Sequence, residues 1–418
     1  MSLAWISVAA LVLAVALSCT TTINVGILAM AFAMIVGVFL AGMSPADVLE
    51  GFPTELLFTL LGVTLLFSIA ESNGTLARLT KRAVRLCRGH AGALPIMFFC
   101  VGFALATIGA GATPASALLA PPAMAAAGRA GIPPLLMAIM AGNGVLAGTL
   151  SPFAPTGIVA HGVMERIGLG GVEWQTFAYN AFAHALVGFG GFFLLGGWKL
   201  FRPANHAPAA AADGMPAAAA GAMEPKHWLT TAGIAVLIVS VAGLRQNVGM
   251  MALIIATALI LLRTVDESRA IQRMPWGVIL MVTGVTVLVA MLQATDGMAL
   301  IASGIANVAT PATIEAVVAF GAGLVSVYSS TSGVVLPAFL PMAPALAEQP
   351  GGLDPLSIAW SMNVSASLVD LSSLSTVGAL YLAGAVPGSD VRGLFNALLV
   401  WGLSMSLVGA VLCWVLFG

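Results

Sequence analysis

Long apolar runs separated by short polar segments make up most of the chain. A helix needs roughly 20 apolar residues to cross the hydrocarbon core of a bilayer. Ten runs approach this length, at about 3–19, 23–42, 54–72, 134–162, 175–198, 228–243, 247–263, 275–293, 355–386 and 391–416. The pattern predicts ten membrane-spanning helices, five in each half of the chain.

Two further apolar segments, 93–128 and 312–346, are interrupted near the middle. The interruptions read TIGAGATP at 107–114 and SVYSSTSG at 326–333. Each arm is short for a full span, and irregular backbone is tolerated at membrane depth only where protein or water surrounds it. We therefore expect two re-entrant hairpins whose polar tips lie inside the membrane.

The second half of the sequence repeats the first at a near-constant offset. Residues 24–26 and 247–249 both read Asn-Val-Gly, and residues 62–64 and 284–286 both read Gly-Val-Thr. Ordered matches of this kind are typical of transporters that are built from two structural repeats. The sequence therefore predicts an all-α polytopic membrane protein made of two repeats of five transmembrane helices.

The predicted repeats cover residues 1–200 and 228–418, and a segment rich in Ala and Pro at 201–227 joins them. The composition of that segment is typical of a linker. Because each repeat has an odd number of spans, the two halves must insert in opposite directions. We expect the hairpin 93–128 to enter from the cytoplasmic side and the hairpin 312–346 to enter from the outer side.

The distribution of basic residues gives an independent prediction of orientation. One side, called the basic side below, carries thirteen of them: Arg78, Lys81, Arg82, Arg85, Arg88, Arg129, Lys199, Arg202, Lys226, Arg263, Arg269, Arg273 and Arg392. The other side carries only Arg166 and Arg245. Cytoplasmic loops are enriched in Lys and Arg, so we expect a bacterial inner-membrane protein with both termini in the periplasm. The basic residues at 74–90 alternate with apolar ones, which suits either a helix lying in the cytoplasmic interface or a solvated loop.

The composition narrows the class of protein. Charged residues make up 7% of the 418 residues, against about 25% in a soluble globular protein, and the mean hydropathy is +1.05. The net charge of −1 argues against a nucleic-acid partner, because phosphate binding needs a surplus of Lys and Arg. The four cysteines lack metal-ligand spacing, and no cofactor is expected.

The fourth span of each repeat is broken by polar residues and helix breakers. The breaks read GTLSPFAPTG at 148–157 and DLSSLSTVG at 370–378. A broken helix frees backbone N–H and C=O groups, and at the bilayer midplane such groups surround a ligand or an ion, or are satisfied by other protein groups. In an inverted repeat the two breaks and the two hairpin tips converge, so the sequence predicts one central binding site.

Hydroxyl and amide side chains predominate on these four interruptions. The predicted substrate-binding residues are Thr113, Thr149, Ser151, Thr156, Ser330, Thr331, Ser332, Ser373, Ser375 and Thr376. The predicted coupling-ion residues are Thr107, Asn143, Ser329, Asn363, Asp370 and Ser372. The alternative for any single residue is that it bonds a helix carbonyl or holds two helices together.

Asp370 is the one carboxylate predicted to lie well inside a span, and an ionisable residue there is a functional candidate by default. The alternative is a structural anchor. Its counterpart in the first repeat is Thr149, so the predicted site is electrically asymmetric. His161 and His184 are expected to be packing residues. No Lys or Arg is predicted deep inside a span, so an anionic substrate would need neutral donors, helix ends and a co-bound cation, either sodium or a proton.

A hairpin and a broken helix in each half, together with the segment GNGVLAGTLSPFAPTGIVAHG at 142–162, resemble the ion-transporter superfamily, and within it the MatC-type malonate and dicarboxylate carriers. Related divalent-anion sodium symporters carry Ser-Asn-Thr at both hairpin tips, whereas this chain has GAGATP and YSSTSG there. The resemblance implies a homodimer in which a scaffold of early spans carries a moving transport domain of hairpins and broken helices.

The sequence therefore predicts a secondary transporter that imports a small dicarboxylate, such as malonate or a C4 acid, with a cation. Within the same fold, an ion exchanger or an inorganic oxyanion permease is the alternative. A membrane-embedded enzyme would need a nucleophile and base or a metal cluster within a span, and the sequence offers only Asp370 and distant histidines. A channel is disfavoured because opposed hairpins suggest gates that enclose a site.

Overall fold

The computed structural model describes residues 2–21, 23–86, 92–201, 222–348, 353–386 and 388–418, and helices joined by short loops account for most of them. These described ranges contain no strand. The first half contains α1 (Leu3–Thr20), α2 (Val25–Met34), α3 (Pro45–Glu50), α4 (Thr54–Ser72), α5 (Thr75–Leu86), α6 (Ala93–Leu105), α7 (Ala112–Ala130), α8 (Pro134–Gly148), α9 (Pro155–Arg166) and α10 (Glu173–Leu194).

The second half follows the same order. It contains α11 (Pro225–Ala242), α12 (Val248–Leu261), α13 (Glu267–Gln272), α14 (Trp276–Ala294), α15 (Gly297–Ala306), α16 (Ile314–Tyr328), α17 (Leu336–Phe339), α18 (Ala343–Ala347), α19 (Pro355–Leu368), α20 (Thr376–Ala383) and α21 (Val391–Phe417). Wide π-helical turns extend α2 to Leu40 and α6 to Ala110, and a third at Thr331–Val335 precedes α17.

Seven helices in the described ranges are long and apolar enough to cross a membrane by length and composition. They are Thr54–Ser72, Ala93–Ala110, Glu173–Leu194, Pro225–Ala242, Trp276–Ala294, Pro355–Ala383 and Val391–Phe417. Six of these seven coincide with predicted spans, and Ala93–Ala110 belongs to the first predicted hairpin. The other four predicted spans coincide with shorter apolar helices at Leu3–Leu17, Val25–Leu40, Pro134–Gly148 and Val248–Leu261. The prediction of an all-α polytopic membrane protein is therefore confirmed.

The repeated Asn-Val-Gly motif starts a helix in both halves. The Asn24 side chain caps α2 by accepting a hydrogen bond of 2.8 Å from the N–H of Gly26. The Asn247 side chain caps α12 by accepting one of 3.0 Å from the N–H of Met250. Asn is favoured at this position because its side chain satisfies a donor that the first helical turn leaves free.

Glycines of the repeated motifs bring helices of the two halves into backbone contact. A Cβ atom on Gly26 would lie 1.9 Å from the carbonyl oxygen of Leu280, so only glycine fits where α2 crosses α14. Where α4 crosses α12, a Cβ on Gly62 would lie 2.3 Å from the carbonyl oxygen of Gly249. Small residues permit such close crossings. Because Gly26 corresponds to Gly249 and Gly62 to Gly284, the pairs are exchanged between halves, as two repeats related by a two-fold axis would give.

The helices pack in two groups. The early helices of both halves, α1, α2, α4, α11, α12 and α14, contact one another and form the first group. The second group contains α6 to α10 and α16 to α21. The groups meet where α4 and α14 contact α9, α17 and the π-helical turn before α17, and α5 and α15 each contact helices of both groups. This division places both interrupted hairpins and both broken helices in the second group.

Each predicted hairpin has one helical segment before its interruption and one after it. These are Ala93–Ala110 and Ala112–Ala130 in the first, and Ile314–Tyr328 and Thr331–Ala347 in the second. The first arm of 93–128 is continuous as far as Ala110, 18 residues that are also long enough to cross a membrane, although Gly109 within it is not helical. Re-entry of this arm, rather than a full crossing of the membrane, stays a prediction. At the basic segment 74–90, residues Thr75–Leu86 are helical. Residues 87–90 and most of the predicted linker, 202–221, lie outside the described residues.

Candidate functional site

In each helix break, a glycine lies in close contact with a backbone carbonyl group. A Cβ atom on Gly157 would lie 2.0 Å from the carbonyl oxygen of Ser151, and one on Gly378 would lie 2.0 Å from that of Ser372. In the first break the N–H of Gly157 also donates to the carbonyl oxygen of Thr149 at 2.9 Å. The same tight turn therefore occurs at corresponding positions in both halves, and α9 and α20 begin there.

The two hairpin tips turn by different means. In the first tip, Gly109 and Gly111 have φ values of 114° and 78°, which side chains other than glycine rarely adopt. In the second tip, the Ser330 hydroxyl accepts a hydrogen bond of 3.0 Å from the N–H of Gly333. The first tip is thus a glycine turn, and the second is held by hydroxyl groups.

A cavity of about 670 Å³ lies between the two groups of helices. Both hairpin tips and both breaks contribute to its wall, as does the face of α4 and α14 opposite them. The cavity extends to Glu71, Leu76 and Arg273, which adjoin loops of the basic side. The four interruptions predicted to converge do meet around one space, and that space reaches the basic side.

Nine of the predicted site residues line this cavity. They are Thr113, Thr156, Ser329, Ser330, Thr331, Ser332, Asp370, Ser375 and Thr376. Every one of the four interruptions contributes at least one of them. Their roles as substrate or ion ligands stay predictions.

Three helices of at least eight residues begin at the cavity wall. Their first residues are Ala112 of α7, Pro155 of α9 and Thr376 of α20. The starts of α7 and α9 have no side-chain cap, whereas Ser375 caps α20 by accepting from the N–H of Gly378 at 3.1 Å. Helix N-termini carry a partial positive charge, so three of them directed at one cavity favour an anion there.

Asp370 is held by a chain of hydroxyl groups from the second hairpin. The Thr331 hydroxyl donates to Oδ1 of Asp370 at 2.5 Å, and Ser326 Oγ lies 2.5 Å from Thr331 Oγ1. Because Thr331 has one hydroxyl proton, the Ser326 hydroxyl donates to Thr331 and Thr331 donates to the carboxylate. The carbonyl oxygen of Asp370 also accepts a short hydrogen bond from Ser375. The carboxylate at the break is therefore tied to the second tip.

Seven predicted site residues do not line the cavity. The hydroxyls of Thr149 and Ser151 donate to carbonyl oxygens at 2.7 and 2.6 Å, and that of Ser372 accepts from the N–H of Leu374 at 3.3 Å. The others in this set are Thr107, Asn143, Asn363 and Ser373. Thr107 Oγ1 and Ser373 Oγ have no hydrogen-bond partner within the described part of the chain. The substrate and ion roles of these seven residues also stay predictions.

A buried network joins the broken helices of the two halves through His184. Its Nδ1 lies 2.9 Å from Oδ1 of Asn143, and its Nε2 lies 3.0 Å from Oγ of Ser367. Because Nδ2 of Asn143 donates to the carbonyl oxygen of Ile139 at 2.9 Å, its Oδ1 is the acceptor, and His184 carries its proton on Nδ1. His184 therefore accepts from Ser367, and Asn143 is occupied by this network.

Sequence reasoning missed two charged residues of the cavity. Arg273 Nη1 lies 4.0 Å from Glu71 Oε1, and both side chains are partly exposed in the wall. An ion pair of this kind contributes only about 0–1 kcal/mol to the stability of the folded state, so a gain in stability does not explain why these two residues lie in the wall. Glu71 ends a span and Arg273 lies in a loop, and in the sequence both read as ordinary interface residues.

Residues 1–149 match the family model described as dicarboxylate carrier protein MatC N-terminus. The resemblance to MatC-type carriers is therefore confirmed over these residues, which include α1 to α8, the first hairpin and the start of the first break. No curated protein sequence matches the chain at a significant level.

Two solved structures share the overall fold. The YdaH transporter of Alcanivorax borkumensis aligns with a TM-score of 0.59 at 17% identity, over 88% of this chain and 86% of that one. MtrF of Neisseria gonorrhoeae, described as illuminating a class of antimetabolite efflux pumps, aligns with a TM-score of 0.55 at 15% identity, over 89% and 82%. At these identities the likeness shows the fold alone. With the family match, it supports a membrane transporter rather than an enzyme.

Proposed function

We propose that this protein is a secondary active carrier that moves a small dicarboxylate, such as malonate or a C4 acid, together with a cation. The observation that carries the proposal is the central cavity, in which helix N-termini and hydroxyl groups face one carboxylate, Asp370. The match of residues 1–149 to a dicarboxylate carrier model favours this class of substrate.

The cavity suits a small anion that is bound by neutral groups rather than by a Lys or Arg side chain beside the hairpin tips. At the start of α9, Pro155 has no N–H and the N–H of Gly157 is bonded to Thr149. The donors to one carboxylate are therefore the N–H of Thr156, the N–H groups that begin α7, and the hydroxyls of Thr113 and Thr156. The volume of about 670 Å³ falls within the range of pockets for small molecules, about 300–1,000 Å³. Neutral donors and helix dipoles can hold a carboxylate but leave most of the charge of a dianion uncompensated.

Asp370 makes a coupling cation necessary for such a substrate. Two like charges about 4 Å apart repel by roughly 4 kcal/mol at an effective dielectric of about 20. The carboxylate is therefore protonated or paired with sodium whenever a dianion occupies the cavity. The hydroxyls of Thr331 and Ser375, which are bonded to the side chain and to the carbonyl group of Asp370, supply oxygen ligands of the kind that sodium takes.

The division of the helices into two groups supports transport by an elevator movement. The second group contains both hairpins and both breaks, and it contacts the first group through α4 and α14. In the proposal, the second group carries the site across the membrane while the first group stays fixed as the scaffold of a homodimer. The basic side is cytoplasmic in this proposal, so the cavity faces the cytoplasm of a bacterial cell.

Thermal unfolding of the purified protein with candidate anions tests the substrate class. A ligand present at 100 times its Kd adds about 2.7 kcal/mol to the stability of the folded state. Malonate or a C4 dicarboxylate should raise the unfolding temperature, and the increase should need sodium or a lower pH. Stabilisation by sulfate or phosphate alone would instead favour the oxyanion permease, and stabilisation by cations alone an ion exchanger.

A further inference from the structure

Three charged side chains line the cavity within the described residues: Asp370 at the second break, and Glu71 and Arg273 toward the basic side. We propose that Arg273 captures the anionic substrate at this mouth, and that Glu71 weakens the capture by competing for the guanidinium group. The inference rests on the proposed function in one respect, which is that the substrate is an anion.

The position of Arg273 allows it to contact solvent and cavity together. The residue follows α13 directly, and Pro275 and Val278, at the start of α14, line the same wall. Its side chain is 44% exposed, so an anion arriving from the basic side reaches the guanidinium before it reaches the hydroxyl groups at the tips. Arg273 is therefore placed to bind substrate at the mouth of the path.

The contact with Glu71 leaves N–H donors of the Arg273 guanidinium group available to a ligand. Its contact with Glu71 is 4.0 Å long, which is beyond the 2.7–2.9 Å of a charge-assisted hydrogen bond. A guanidinium carries five N–H donors in a planar fork that binds a carboxylate through two parallel hydrogen bonds. A substrate carboxylate can therefore form the close contact that Glu71 does not form, and removing Glu71 leaves Arg273 more available.

The charged pair is confined to one side of the molecule. At the offset of 222 that relates α4 to α14, the counterpart of Glu71 is Gln293 and the counterpart of Arg273 is Gly51. The wall of a smaller cavity of about 320 Å³ contains Gln293, and its charged residues, Arg166, Asp296 and Glu348, stand at other positions of the sequence. Arg166 is bonded there to the carbonyl oxygen of Gly51 at 3.3 Å, so the arginine on that side has a partner that Arg273 lacks. Capture by Arg273 thus acts at one face, whereas a merely structural role would affect transport from both faces.

The test measures the apparent KM for labelled malonate at each membrane face, in right-side-out and inside-out vesicles that contain the full-length protein. The variants are Arg273→Gln, Arg273→Lys and Glu71→Gln. Matched controls are Arg269→Gln and Glu267→Gln, because both side chains are exposed on α13 and neither lines the cavity.

Arg273→Gln should raise the KM at the basic face about 10-fold, equivalent to about 1.4 kcal/mol, with little change in maximal rate or in the KM at the other face. Arg273→Lys keeps the positive charge but loses the two parallel hydrogen bonds of the guanidinium group, so it should recover only part of the affinity. Glu71→Gln should lower the KM at the basic face. Added salt should raise the KM of the wild type more than that of Arg273→Gln, because salt screens exposed charges.

Equal behaviour of Arg273→Gln and Arg269→Gln would overturn the inference, as would equal KM changes at both faces. If Arg273→Gln fails to fold, Arg273→Lys and Glu71→Gln provide the test of capture at the basic face. An unchanged KM in Glu71→Gln would contradict the proposal that Glu71 competes with the substrate for Arg273. If the wild type moves malonate but these variants match their controls, the proposed function stands and this inference falls. If the wild type moves no anion, both fall.

Discussion

The hydroxyl of Thr331 donates a 2.5 Å hydrogen bond to Oδ1 of Asp370, and this bond ties the second hairpin tip to the second broken helix. The two residues belong to different interruptions of the membrane-embedded helices and are 39 positions apart. A cation or proton that binds Asp370 therefore alters a contact of the tip, which also lines the cavity. This contact gives the proposed ion a physical route to the proposed substrate.

Asp370→Asn should uncouple transport from the cation. The amide keeps an oxygen that accepts from Thr331, but it removes the negative charge that binds a cation. We expect uptake to lose most of its dependence on the cation gradient, about 10-fold or more if the charge interaction is worth at least 1.4 kcal/mol, while the preference among acids changes little. Uptake into proteoliposomes with and without the gradient measures both quantities.

Asp390→Asn is the matched control for this variant. Asp390 caps α21 by accepting from the N–H of Gly393 at 2.8 Å, and Asn caps a helix about as well as Asp does. The control should therefore transport like the wild type. If Asp370→Asn keeps full gradient-driven uptake and the same ion dependence, Asp370 is only a structural anchor.

Bulky apolar residues at the tips should abolish substrate binding. Thr113 and Thr331 occupy corresponding positions and both line the cavity, so Thr113→Leu and Thr331→Leu each remove a hydroxyl and fill space. Thr257→Leu, at an exposed position of α12, is the control. Equilibrium binding of labelled dicarboxylate, together with size-exclusion profiles for folding, checks the outcome. Wild-type affinity in both tip variants would contradict the assignment of the central site.

His184→Leu should destabilise the protein more than His161→Leu. The first substitution leaves Asn143 and Ser367 without their partner in a buried environment, and an unsatisfied buried polar group costs about 1–3 kcal/mol. Nε2 of His161 is buried without a hydrogen-bond partner among the described residues, so its removal costs less. Thermal unfolding of both variants compares the two, and equal unfolding temperatures would exclude a stabilising role for the His184 network.

The predicted orientation can be tested by labelling single cysteines in a cysteine-free variant. Ala222→Cys lies on the basic side, whereas Gln246→Cys adjoins Arg245 on the other side, and both positions are exposed. A membrane-impermeant reagent applied to intact cells should label Gln246→Cys and not Ala222→Cys. The reverse pattern would place the basic side outside and would refute the argument from charge distribution.

The positions of the helices could be predicted closely from the sequence, because each apolar run has a length that the bilayer dictates. The breaks could also be placed, since Pro155 and the polar stretch before Thr376 cannot continue a helix without interruption. These features are local in the chain. The lengths of the runs, the turn residues and the repeat were enough to locate both tips and both breaks.

The partners of the individual polar residues could not be predicted in the same way. Ser151 and Thr331 both read as candidate ligands, yet Ser151 bonds a carbonyl oxygen outside the cavity wall and Thr331 bonds Asp370 within it. A hydroxyl bonds whichever group lies within about 3 Å, and tertiary packing decides which group that is. Arg273 was missed for the same reason, because only the packing of α13 beside α4 puts it in the wall.

The most direct test of the central claim is accumulation of labelled malonate by proteoliposomes under an imposed cation gradient. The account predicts that the wild type concentrates malonate inside when sodium or protons flow inward, that dissipating this gradient abolishes the accumulation, and that unlabelled C4 acids compete. Two results would contradict the claim. One is uptake of malonate and the C4 acids that does not exceed that of empty liposomes under either gradient. The other is uptake that stops at equal concentrations inside and outside and does not depend on either gradient.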